Sequence, residues 1–101
     1  MADLNGKWKT VIHSYVGDAY FTLEIRVDGD SFTGVATDSS NGAKQDLRNC
    51  TLSGSEFTYD ITVSTAMGDL ENHVEGRIEG DALRGESIND MGTFTLEGKR
   101  I

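Results

Sequence analysis

From Tyr20 to Val27 hydrophobic and polar residues alternate with a period of two. Phe21, Leu23, Ile25 and Val27 fall on one face of an extended strand, and Tyr20, Thr22, Glu24 and Arg26 fall on the other. The same alternation returns through Phe57, Tyr59, Ile61 and Val63, then through Leu70, Asn72, Val74, Gly76 and Ile78. It resumes at Leu83, Gly85 and Ser87 and closes with Phe94, Leu96 and Arg100. A 3.6-residue period appears nowhere, so the pattern predicts strands and no helix. Lys7 to Ser14 reads as the first strand, and Lys44 to Leu52 as the fourth and least regular one.

Three near-copies of one segment punctuate these strands. Val27 to Gly34, Leu52 to Tyr59 and Ile78 to Gly85 each read apolar, small or acidic, Gly, polar, any residue, apolar. Their central glycines, Gly29, Gly54 and Gly80, recur at intervals of 25 and 26 residues. Each copy fits a strand, a two-residue turn and the start of the next strand, with glycine taking a positive φ. Further turns are expected at Tyr15 to Asp18, Asn41-Gly42, Met67-Gly68 and Met91-Gly92. A turn at Asp28-Gly29 pairs Ile25 with Phe32. One at Ser53-Gly54 pairs Cys50 with Phe57 and aims Arg48 inward opposite Tyr59. Leu47 fits the opposite parity, which calls for a bulge near Arg48 and Asn49. The chain therefore reads as one all-β domain over residues 1–101, an antiparallel up-and-down barrel of about eight strands. Closure hides the sheet edges that an open meander exposes.

Composition narrows the function without naming it. The 101 residues carry a net charge of −8, which disfavours nucleic acid and anionic membrane as partners. Cys50 is the single cysteine, leaving no disulfide framework and no cysteine-based zinc site. No apolar run approaches the roughly 18 residues of a membrane span, and no basic, apolar targeting run leads the chain, so a cytoplasmic location is expected. Neither a cofactor nor a metal is expected. There is no Ser-His-Asp spacing, phosphate-binding glycine loop or histidine cluster.

Gly6-Lys7-Trp8 on the first strand and Arg100 on the last resemble the Gly-x-Trp and terminal-cation signature of the calycins, the superfamily of lipocalins, fatty-acid-binding proteins and avidins. The repeated turns are similar to those of small bacterial calycin-like domains. The resemblance implies an indole that plugs one barrel end, a cation lying across it, and a cavity able to hold a small ligand. No particular ligand transfers. The several tryptophans of avidins are reduced here to Trp8, and Gly98-Lys99-Arg100 replaces the Arg-x-Tyr of fatty-acid-binding proteins.

Parity aims Asn72 and Ser87 inward and, on the turn register above, opposite each other, with Tyr59 on a neighbouring strand. Gly34, Gly76 and Gly85 are expected to free interior space. The first expectation is thus a site for a small hydrophobic or amphipathic molecule at the Met-Gly end. Tyr59, Asn72, Ser87 and Arg48 would supply polar groups there, and Met67, Met91 and Phe21 apolar contact. A second is an isomerase or lyase on the same frame, with Tyr59 or Arg48 polarising a substrate. A third is a filled barrel that works through its outer surface, where Val11, Val35 and Tyr20 form a candidate homodimer patch. His73, facing out between Glu71 and Glu75, is set across from Asp60 as a charge pair.

Overall fold

The computed structural model describes residues 4–14, 17–65 and 68–101. At each repeat the glycine opens the turn instead of ending it. Asp28 pairs with Ser31, Ser53 with Glu56 and Glu79 with Ala82, leaving Gly29-Asp30, Gly54-Ser55 and Gly80-Asp81 as the two-residue loops. These glycines have φ of 63°, 61° and 64°, and the residue after each keeps a negative φ. Glycine first is the type II′ arrangement, whose twist matches that of the flanking strands. The turns thus sit one residue later than the sequence reading placed them. Ile25 faces Gly34 and Phe57 faces Leu52, where Phe32 and Cys50 were expected. Where the ladder is regular, a pairing shift of two residues leaves every side chain on its expected face.

Among the described residues nine strands result: β1 (Gly6–Ser14), β2 (Gly17–Asp28), β3 (Ser31–Asp38), β4 (Lys44–Asp46), β5 (Arg48–Ser53), β6 (Glu56–Thr65), β7 (Gly68–Glu79), β8 (Ala82–Asn89) and β9 (Gly92–Arg100). All pairings are antiparallel, in the order β4-β3-β2-β1-β9-β8-β7-β6-β5. The expected fourth strand is split at Leu47. Before it β4 pairs with β3, and after it β5 pairs with β6. The expected bulge is present: the register slips between Arg48 and Thr51, and Asn49 takes a φ of 51°.

The two sheet edges meet at this crossing. Leu47 N donates to Gly34 O at 2.9 Å and Leu52 N to Asp30 O at 2.9 Å. The Gln45 side chain acts as a piece of strand, accepting from Thr62 N at 2.8 Å and donating to Thr62 O at 2.6 Å. The fold is an all-β, up-and-down, nearly closed barrel.

Leucine, isoleucine and aromatic side chains from the inward face of every long strand fill the centre. The space expected beside the inner glycines is already taken. A Cβ at Gly76 would lie 2.7 Å from the Phe57 ring, and one at Gly34 would lie 2.8 Å from Leu47 Cδ1. One end is plugged as the resemblance implied. Trp8 is fully buried, its Nε1 donates to Leu4 O at 2.9 Å, and the Arg100 guanidinium carbon lies 4.1 Å above the indole. Arg100 also donates to Asn5 O and, through Nε, to Asp81 Oδ1 at 3.1 Å.

Candidate functional site

Two of the three buried polar residues among those described sit together, away from the tryptophan. Asn72 on β7 and Ser87 on β8 both point inward because each continues the apolar parity of its strand. They are diagonal neighbours rather than opposite, since Ser87 pairs with Val74. Their side chains still meet: Ser87 Oγ donates to Asn72 Oδ1 at 2.9 Å. Asn89, at the end of β8, donates from Nδ2 to the same oxygen at 2.9 Å, and Asn72 Nδ2 donates to Leu70 O at 3.0 Å. Asn89 Oδ1 accepts from Met91 N at 2.8 Å, so the cluster is tied to the turn above it. Asn89 was not singled out from the sequence, although its parity with Ser87 would have found it.

Tyr59 is 1% exposed and stacks on Phe57 with ring centroids 6.0 Å apart. On β6 it is one inward position from Ile61, the partner of Asn72. Burial among apolar neighbours pushes its phenol pKa far above the ordinary tyrosine value, with a smaller contribution from Cys50. Tyr59 therefore stays neutral, a hydrogen-bonding group and not a base. Phe21 is buried in the core, across from Thr10 on β1. Met91 stands exposed on the β8–β9 turn, and Met67 lies outside the described residues.

Arg48 does not point inward. The bulge turns it to the outer face, where Nη2 donates to Glu71 Oε2 at 2.7 Å and to Thr62 Oγ1 at 3.0 Å. Beside it the expected His73–Asp60 pair forms, with Nδ1 2.7 Å from Oδ1. Asn49 Nδ2 donates to Asp60 at 2.7 Å; that bond first, and His73 second, hold the Asp60 carboxyl below its usual pKa. On the far side His13 bridges Asp18 at 3.1 Å and Glu97 at 3.2 Å, and these bonds raise its pKa above 6.5. Among the described residues no three His, Cys, Asp or Glu side chains converge to hold a metal.

No protein-family model matches the chain, and no curated protein matches it. Among solved structures, a redesigned beta barrel superposes with a TM-score of 0.73 at 14% sequence identity, covering 97% of this chain and 91% of that one. That likeness establishes the barrel fold and nothing about activity.

Proposed function

We propose that this protein is a binding protein that takes a small, partly apolar, uncharged molecule into the barrel end beneath the Met91 turn. The observation that carries this reading is the convergence of Asn72, Ser87 and Asn89 on one buried oxygen. A mostly apolar interior with a few gathered polar groups is the usual make-up of small-molecule sites. Asn72 Nδ2 has a second N–H and Ser87 Oγ two lone pairs, which is the capacity a ligand would use. Binding is favoured over isomerase or lyase chemistry because the groups gathered there are two amides and a hydroxyl, none of them an acid or a base, and the buried Tyr59 phenol is held neutral. Kinship with the calycins is part of the same proposal, supported by the stacking of Arg100 on Trp8. So is a cytoplasmic location, supported by the single, unpaired Cys50.

The test is a thermal-shift screen against small alcohols, amides and aromatic compounds. A ligand present at a hundred times its Kd stabilises the fold by about 2.7 kcal/mol, which raises the melting temperature of a domain this size by roughly 10 °C or more. Such a shift should vanish in Asn72→Leu and weaken in Ser87→Ala, while the outward variant Thr95→Ala keeps it. A flat screen, or a hit insensitive to both inner substitutions, would overturn the proposal.

A further inference from the structure

The outer face of β2, β1, β9 and β8 carries a groove of about 750 Å³, separate from the Asn72 cluster. Its floor follows from strand alternation. Val11 on β1 is flanked by Tyr20 on β2 and Glu97 on β9, and Lys9 on β1 lies directly across from Lys99 on β9. Ala82 and Arg84 extend these two rows onto β8, and Ile101 lies at the end. Two features set this surface apart. Tyr20 and Ile101, 54% and 61% exposed, are two of the four large hydrophobic side chains left exposed among the described residues. The groove also presents three outward cations, Lys9, Lys99 and Arg84, against one carboxylate in a chain of net charge −8.

The lysines stand in an arrangement that opposes folding. Like charges directly opposite on neighbouring strands repel, and among the described residues neither ammonium has an ion-pair partner. The groove's own carboxylate, Glu97, is engaged by His13. Arg84 meets Glu79 at 3.8 Å, a loose contact that leaves most of its donors available. An anion placed between Lys9 and Lys99 would relieve the repulsion, and the neighbouring Val11 and Tyr20 surfaces lie where an attached apolar chain would run.

We infer that this groove binds an amphipathic monoanion, a free carboxylate carrying a medium-length hydrocarbon chain. The carboxylate sits between Lys9 and Lys99 and the chain lies along Val11 and Tyr20 toward the barrel rim. This site is independent of the interior proposal, because its residues face outward on β2, β1, β9 and β8, whereas the interior groups face inward on β6, β7 and β8.

Sodium decanoate is the probe, titrated into the full chain while backbone amide resonances are followed by NMR. The expected result is saturable movement of the Val11, Tyr20, Glu97 and Lys99 amides, with those of Val74, Ser87 and Asn89 unmoved. The double variant Lys9→Gln with Lys99→Gln should weaken binding about tenfold, as should high salt. Both lysines are exposed, so the variant keeps its fold, and its spectrum verifies this. Movement confined to the interior amides, equal binding of 1-decanol, or unchanged affinity in the double variant would each overturn the inference. So would the absence of any saturable shift.

Discussion

A methyl group added at Gly85 would lie 2.1 Å from Glu75 O, 2.6 Å from Gly76 Cα and 2.9 Å from Glu75 C. All three atoms are main chain, so no rotamer change relieves the overlap. Restoring an ordinary contact of about 3.4 Å to the oxygen requires β7 and β8 to separate by roughly 1 Å. β7 is held from its other side by β6, paired from Glu56↔Arg77 to Thr65↔Gly68, and β8 by β9. Overpacking of a filled core costs about 1–3 kcal/mol, and a forced backbone shift places Gly85→Ala at or above the top of that range, about 3 kcal/mol. Gly29→Ala is the control. No atom lies within 4 Å of a Cβ there, so its cost is the positive φ of 63° alone, about 1–2 kcal/mol. Both variants are compared with the parent by urea unfolding followed through Trp8 fluorescence. With m of about 1.5 kcal/mol/M, Gly85→Ala should lower the midpoint by about 2 M and Gly29→Ala by about 1 M. Equal midpoints, or a larger loss for Gly29→Ala, would refute the view that close strand contact at Gly85 is what this glycine provides.

Two further outcomes follow from the plug and the surface. Arg100→Ala removes the cation over Trp8 and the bonds to Asn5 and Asp81, with an expected loss of about 1–3 kcal/mol and a red shift in the emission of the chain's one tryptophan; unchanged emission would separate the guanidinium from the plug. His13 has a folded pKa raised by its bonds to Asp18 first and Glu97 second, so its contribution to stability is complete below pH 6.5 and is lost as pH rises through the raised value. The stability difference between the parent and His13→Gln should shrink from pH 5.5 to pH 8, measured by urea unfolding at each pH, and a difference that grows would contradict the two ion pairs.

The faces of the strands were legible because alternation survives a shift of two. Val74, Ile78, Leu83 and Leu96 are buried as parity required, even though each of the three repeat turns sits one residue later than expected. What alternation cannot supply is the order of residues inside a turn: Asp-Gly and Gly-Asp both satisfy the composition, and only the backbone angles distinguish them. The seam was half legible. The odd parity of Leu47 signalled a bulge, but the exchange of partners from β3 to β6 depends on contacts distant in sequence, including the Gln45 amide on Thr62. Arg48 was aimed inward by extending a regular ladder through that bulge. The Gly34 and Gly76 gaps likewise looked empty because sequence shows the small residue and not the large one, Leu47 or Phe57, that leans over it.

The two proposed sites differ in a way that would sort ligands by charge. Inside, Asn72, Ser87, Asn89 and Tyr59 offer dipoles and no net charge, and a carboxylate brought among them would lose its hydration without a cation to replace it, a penalty of several kcal/mol. Outside, Lys9 and Lys99 repel each other across one rung of the sheet, and an uncharged guest leaves that repulsion in place. A neutral ligand should therefore partition to the Asn72 end and an anionic amphiphile to the outer groove. Decanoate and 1-decanol share the same chain length and differ at the head group. Their shift patterns, read on one sample over the Val74–Ser87 and Val11–Lys99 amides, assign each site its own ligand class. If the acid and the alcohol move the same set of amides, the wall does not discriminate by charge, and the inference for the outer groove fails at its premise.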